Sequence, residues 1–342
     1  MQQGYSSSWH SRLKALGPGV LLATAAIGGS HIVASTQAGA LFGWQLAVLI
    51  LLVNVLKYPF FRFGVEYSLQ SGETLLEGYQ KQGRGYLLSF VWLNLIAAVV
   101  NTAGVLLLTA SLLQFFMPVQ LSLTVLCTIL LAVCLLILLA GQYRLLDKVS
   151  KWVMVLLTIT TVAAAIIAFN KGPTASADFV GPSPWQLMYL GFLVALMGWM
   201  PAPIEISAIN SLWLKAKQQH TPVSKQDGLF DFNLGYWSTT ALALVFLALG
   251  ALVQYGSEQK VEFAGAAYTS QFVAMYASTI GDWSKLLVAL VAFLCMFGTT
   301  LTVLDGYART INESFQLLGW QNTERKNSYN YWLLAQAVAG MA

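Results

Sequence analysis

The stretch ATAAIGGSHIVAST, residues 23–36, lies inside an apolar run that opens with LGPGVLL at Leu16. It holds two adjacent glycines, each about 1 kcal/mol less favourable than alanine in a helix, followed by a serine and a histidine. Ser30 suits the N-cap of a helix that restarts at His31. The run therefore reads as two half-helices meeting at residues 28–31. In hydrocarbon every backbone donor and acceptor needs a partner, so an unwound segment persists only where it is buried in protein or lines a cavity.

The surrounding composition makes hydrocarbon the setting. Of 342 residues, 57% are hydrophobic and 9% charged, against about 25% charged in a soluble domain, and the mean hydropathy is +0.65. A crossing takes about 20 apolar residues. Runs of that kind fall at roughly 15–43, 44–64, 86–116, 119–140, 148–169, 185–214, 232–254 and 284–308, and another begins at 329. The chain is expected to be an all-α polytopic membrane protein, one transmembrane domain over residues 1–342, truncated in its ninth helix.

Lys and Arg support this map, because short cytoplasmic loops carry the positive excess. With the N-terminus inside, fifteen of the eighteen fall on inner segments and only Lys171, Lys260 and Lys285 on outer ones. This predicts a multi-pass protein with a cytoplasmic N-terminus in a bacterial-type inner membrane, with the lipid bilayer as its partner. The net charge of +4 then reflects orientation, and no nucleic acid is implied. Cys127, Cys134 and Cys295 sit in apolar spans without zinc-site spacing and read as small buried residues. No phosphate loop or Ser-His-Asp constellation is present, and two of the three histidines, His10 and His220, lie in polar segments. The expectation is no enzyme and no cofactor, and nothing here speaks to oligomeric state.

A second interruption lies in VALMGWMPAPIEISAINSLW, residues 194–213. Pro201 and Pro203 lack amide hydrogens and disfavour helix in the residue before each. One half-helix should end near Met200 and the next begin near Pro203. Spans one and six are thus both broken, with four intact spans between. Interrupted segments at matching positions of two halves point to the binding site of a transporter built from inverted repeats. The repeats would cover about 15–169 and about 185–342, the second incomplete.

These residues resemble the NRAMP family of divalent-metal transporters. Gly17-Pro18-Gly19 and Gln37-Ala38-Gly39-Ala40 match the start and end of that family's first helix; SGETLLEGY (71–79), GQYRLLDK (141–148) and Met200-Pro201 match further on. The resemblance implies a LeuT-type fold with an inverted five-plus-five repeat. Family members bind metal through Asp-Pro-Gly-Asn in the first helix, where this chain has Gly28-Gly29-Ser30-His31, and through a Met sulfur and a backbone carbonyl of the sixth helix. Those last two correspond to Met200 and Met197, while the family's His after Met-Pro is Ala202 here. The chain is a divergent relative that lacks the motif's carboxylate.

The candidate substrate-binding residues are accordingly Gly28, Gly29, Ser30, His31, Met197, Met200 and Glu205, with backbone carbonyls around Ala26 and Ile27. His31 and Met200 are the candidate metal ligands, since imidazole and thioether suit a borderline or soft ion. His31 and Glu205 are the candidate proton-coupling groups, because intramembrane ionisable residues are functional by default. Asp305 and Arg309, and Arg62 and Glu66, are four apart and can pair on a helix face, as structural pairs or inner-gate pairs. Lys57 is expected to snorkel. Ser35, Thr36, Asn101, Thr299, Thr300 and Thr302 offer hydroxyls and an amide to a substrate or to helix contacts.

Three functions remain open at this level. The first is a secondary transporter of a divalent transition-metal ion, proton-coupled, through a midplane site. The second keeps the fold with an amino acid or organic anion as cargo, since a Gly-Gly-Ser break presents backbone amides without a carboxylate. The third is a non-transporting receptor or scaffold.

Overall fold

A computed structural model describes residues 16–140, 143–219, 223–257, 260–263, 265–321 and 328–341. His10, Arg12, Lys14, His220, Arg325 and Lys326 lie outside them. The first span is α1 (Pro18–Ala26), a π-helical turn (Ser30–Ser35) and α2 (Thr36–Phe42), its two halves bent by 49°. There follow α3 (Ala47–Ser71), the short α4 (Leu75–Gln82), α5 (Arg84–Leu113), α6 (Leu123–Leu139) and α7 (Tyr143–Lys171). The sixth span is broken into α8 (Leu190–Trp199) and α9 (Ile206–Gln218). Then come α10 (Lys225–Val253), α11 (Gly265–Ile280), α12 (Ser284–Leu317) and α13 (Ser328–Ala339). Every regular element among the described residues is helical.

Two expectations about these elements need correction. Ser30 does not cap the restarted helix; its hydroxyl donates back to the Ala26 carbonyl, and the chain resumes as a turn of π-helix after Gly29. The segment 265–280, which falls in none of the apolar runs, is the helix α11. Its Tyr268, Phe272, Val273 and Tyr276 are buried in one cluster with Phe246, Val288 and Met296. Alternating polar residues in YTSQFVAMYAST hide that apolar face from a search for continuous runs.

Helix α10 organises the bundle, because both halves of the first span lie against it at backbone distance. A Cβ on Gly19 would stand 2.1 Å from the Asp231 carbonyl oxygen, and one on Gly235 would stand 2.1 Å from that of Gly19. At the other end, a Cβ on Gly39 would sit 2.0 Å from the Leu247 oxygen and one on Gly250 2.1 Å from the Thr36 oxygen. Only glycine permits either crossing. The Asp231 carboxylate accepts from the Gly17 and Gly19 amides at 3.1 and 2.7 Å, an anion placed at the positive end of α1. The GPG and QAGA motifs are therefore the two contacts that clamp the broken span.

The side chains that face away from the bundle are apolar. Leu52, Leu56, Phe60 and Phe63 on α3, Trp92, Ile96 and Val100 on α5, and Ile159 and Phe169 on α7 are all exposed, as a bilayer-facing surface requires. Helix α12 has 34 residues, about 51 Å at 1.5 Å per residue, and extends beyond a hydrocarbon core of about 30 Å.

Its C-terminal end is latched by α4. Thr74 and Glu77 form a capping box, Thr74 Oγ1 donates to Glu313 Oε1 at 2.7 Å, and Lys215 Nζ of α9 pairs with Glu77 Oε2 at 2.7 Å. At the opposite end Lys171 Nζ donates to the Thr279 carbonyl at 2.7 Å, and Gln37 Nε2 to the Glu262 carbonyl at 2.7 Å.

Gly19→Val should cost about 3 kcal/mol or more by overpacking a backbone contact. Gly191→Ala, which meets nothing within 4 Å, should be neutral or stabilising by up to about 1 kcal/mol. Thermal unfolding of the two purified variants checks this, and equal melting temperatures would refute the clamp. The latch is also pH-dependent. Burial pushes the Glu77 carboxyl up, but the Lys215 ammonium and the Thr74 groups outweigh it and hold it below the usual range. A depressed carboxyl stabilises above its unfolded value and loses that contribution as pH falls through the folded one. Glu77→Gln should therefore flatten the acid limb of the stability curve.

Candidate functional site

The two breaks meet at a cavity of about 50 Å³, enough for a few waters or one small solute at roughly 10–15 Å³ per water. The first break contributes Ala25, Ala26, Gly29 and Ser30, and the sixth span contributes Trp199, Ala202, Pro203 and Ile206. Asn101, Gly104, Val105 and Leu108 of α5 and Thr299, Val303 and Tyr307 of α12 complete the wall. Two apolar clusters pack around it, one with Leu22, Ala98, Ile209 and Trp213 and another with Ile32, Leu112, Phe246 and Tyr276.

The polar part of the wall is a hydrogen-bonded chain. Asn101 Nδ2 donates to Tyr307 Oη at 2.8 Å, and Tyr307 Oη donates to Glu205 Oε1 at 2.8 Å. Glu205 is buried at the N-terminus of α9, where the helix dipole favours its negative charge. It stands one contact behind the cavity surface, with Tyr307 between. Neither Tyr307 nor its link to Glu205 was singled out in the sequence; a tyrosine within an apolar span, two residues from Asp305, was the available signal.

Of the residues nominated from the sequence, Gly29 and Ser30 face the cavity. Gly28 instead packs on α12, where a Cβ would lie 2.8 Å from Thr299 Oγ1. His31 is fully buried and turned toward α10: Nε2 lies 2.9 Å from the Thr239 carbonyl, and Nδ1 lies 2.7 Å from Ser30 Oγ. A carbonyl only accepts, so Nε2 carries hydrogen, while Nδ1 lies beside the Ser30 hydroxyl and 3.1 Å from the Ala26 carbonyl. Met200 is buried with its sulfur 3.7 Å from Ser35 Oγ, among Leu193, Leu196 and Leu247.

Met197 is 42% exposed on the outer face of α8. Neither His31 nor Met200 lines the cavity; the imidazole is bonded to Thr239 and the thioether sits against Ser35. Among the described residues no three His, Cys, Asp or Glu side chains cluster as a metal site.

The carbonyls at the two breaks also have partners. Thr299 Oγ1 donates to the Thr24 oxygen at 2.9 Å and Cys295 Sγ to the Ile27 oxygen at 2.8 Å. Contrary to the expectation from the sequence, Lys57 does not snorkel; its ammonium donates to the Met197 and Gly198 oxygens at 2.8 and 2.7 Å.

Both nominated ion pairs form. Arg309 Nε lies 2.8 Å from Asp305 Oδ2, and the same carboxylate accepts from Trp213 Nε1 at 3.1 Å and Tyr329 Oη at 2.8 Å, joining α9, α12 and α13. Arg62 and Glu66 pair at 3.0 Å but within α3 and partly exposed, so they bridge no two elements.

Two broken helices whose breaks meet at a cavity, clamped by intact neighbours, define the LeuT-type fold of membrane transporters. The family model described as natural resistance-associated macrophage protein-like (Nramp) matches residues 19–341, and the chain belongs to that family. An uncharacterised protein of Pasteurella multocida (strain Pm70) is 56% identical over 344 residues, covering 100% of this chain and 79% of the relative.

Among solved structures, a mutant manganese transporter of Eremococcus coleocola superposes with a TM-score of 0.73 at 13% identity, over 99% of this chain and 71% of the other. The nucleobase-cation-symport-1 family transporter MHP1, in a closed conformation with bromovinylhydantoin bound, superposes at 0.66 with 14% identity, over 95% and 71%. At such identities the likeness is one of fold.

Tyr307→Phe removes one hydroxyl that serves both Asn101 and Glu205, and should destabilise by about 1–3 kcal/mol through the unpaired carboxylate. A double-mutant cycle with Glu205→Gln tests the link; additive effects on melting temperature would show that the two groups are not coupled.

Proposed function

We propose that this chain is a secondary active transporter that carries a divalent metal ion through the cavity between the two breaks. The observation that carries the reading is the cavity's position, walled by the unwound parts of spans one and six. Membership of the Nramp family supports a metal as cargo, as does the likeness in fold to the Eremococcus coleocola manganese transporter. The donors nearest the cavity are oxygens: Ser30 Oγ, the Asn101 amide, Tyr307 Oη and, behind it, the Glu205 carboxylate. Such a set suits an oxygen-seeking ion such as Mn²⁺ or Mg²⁺, and in our reading it takes the place of His31 and Met200. Glu205 is the coupling group, since its carboxylate reaches the cavity through Tyr307. Alternating access comes from rocking the broken spans against the intact ones.

One observation favours a second reading, an amino acid or organic anion on the same fold. The backbone oxygens that a metal would draw on, those of Ile27 and Met197, are already bonded to Cys295 and Lys57.

Isothermal titration of the purified protein with Mn²⁺, Co²⁺, Zn²⁺ and Mg²⁺ separates the two. The metal reading expects saturable binding that Glu205→Gln weakens at least tenfold, about 1.4 kcal/mol, and that Met200→Ala changes little. No heat from any of the four ions, in protein shown to be folded, would sink it and direct the search to amino acids and organic anions.

A further inference from the structure

Lys57 lies ten residues into α3, which starts at Ala47, and is thus about 15 Å along the helix axis at 1.5 Å per residue. It lies inside the apolar run at roughly 44–64, on a helix long and apolar enough to cross a membrane. Its ammonium is seated on the C-terminal end of α8, donating to the Met197 oxygen at 2.8 Å, the Gly198 oxygen at 2.7 Å and the Ala202 oxygen at 3.4 Å.

These carbonyls are free for it because α8 ends at Trp199 and Pro201 and Pro203 supply no amide to continue the helix. An ammonium has three donors, and the three oxygens match them. The chain reverses around a positive charge at the place where a half-helix C-terminus, with its negative dipole end, would otherwise attract an ion.

In transporters with broken helices, unwound carbonyls and half-helix C-terminal ends are the groups that coordinate small cations. The corresponding end of α1 is closed by neutral donors, Thr299 to the Thr24 oxygen and Cys295 to the Ile27 oxygen. Of these two ends, among the described residues, it is the α8 end that receives a full charge. Ala202 also lines the cavity, so the ammonium sits behind a single residue of the wall, and it interacts electrostatically with Glu205.

We propose that Lys57 is a tethered cation, occupying with its ammonium the cation-coordinating carbonyls of the second break. The carrier thereby holds its own positive charge where a dissolved ion would otherwise bind. The α8 carbonyls are withdrawn from cargo binding, and no sodium or potassium ion couples to transport through them. Lys57 is a positioning residue for the break and sets which ions the site excludes. The inference does not depend on which cargo the cavity takes.

The test is chemical rescue of the full chain in lipid nanodiscs. Lys57→Ala removes the ammonium and its stem, leaving room for a small alkylammonium ion. Melting temperatures are compared in ethylammonium, sodium and tetraethylammonium chloride at equal ionic strength, with wild type in the same salts.

The expected result is that Lys57→Ala melts several degrees higher in ethylammonium or sodium than in tetraethylammonium, which has no N–H donor and is too large. Wild type should not distinguish the three salts. Lys57→Met, which keeps the apolar stem without the charge, should be destabilised and rescued by sodium alone, since its side chain blocks ethylammonium. Variants that tolerate the loss of charge and respond to all three salts as wild type does would overturn the proposal. So would variants that fail to fold even with ethylammonium and sodium present, because those ions restore the missing contacts.

Discussion

The structure depends on one constraint: the first span must be broken and yet held to within backbone contact of α10. Gly19 against Gly235 and Gly39 against Gly250 are the two crossings, and His31 reaches the Thr239 carbonyl between them. A straight helix would need no such fastening. A helix bent by 49° with unpaired backbone groups at the bend has to be fixed on both sides, or the cost of exposing those groups to hydrocarbon would unfold it. The glycines, the Asp231 cap on α1 and the buried histidine are parts of one device. It explains why polar and small residues concentrate where a membrane helix should be most apolar.

The cavity follows from that fastening. With α1 and α2 pinned to α10, the unwound segment between them faces α5, α12 and the break of span six. The hydroxyl, thiol and ammonium groups around it are distributed so that few backbone oxygens are left without a donor. The result is a small chamber whose chemistry comes from Ser30, Asn101 and Tyr307, with one carboxylate behind the wall. On the α4 side the Asp305 carboxylate is shared by three elements, and the α4 capping box residues bond to Lys215 of α9 and Glu313 of α12.

Charge placement separates the two breaks. At the first, neutral donors satisfy the carbonyls; at the second, a lysine from a neighbouring helix does so. A charge within an apolar span is costly, and three close carbonyls are what stabilise this one. The same economy governs His31, whose Nε2 is bonded to the Thr239 carbonyl, and Met200, whose sulfur is packed. Side chains that look available in a linear sequence are, in the folded chain, already committed to holding an irregular backbone.

Much of the architecture could be read from the amino-acid order alone. Composition required a membrane, Gly28-Gly29 and Pro201/Pro203 marked the two breaks, and their spacing indicated paired repeats, because helix propensity and missing amides act locally. The ion pairs Asp305–Arg309 and Arg62–Glu66 were legible for the same reason, being four residues apart on one helix. What the sequence could not reveal was the direction of each side chain at the breaks. His31 turned toward α10, Met200 turned into the packing of the first span, and Tyr307 joined Glu205 across 102 residues. Lys57 found carbonyls 140 and 141 residues away. Those choices were made by tertiary packing, because a buried polar group takes whichever partner the fold brings within hydrogen-bond distance, and no local rule says which that is.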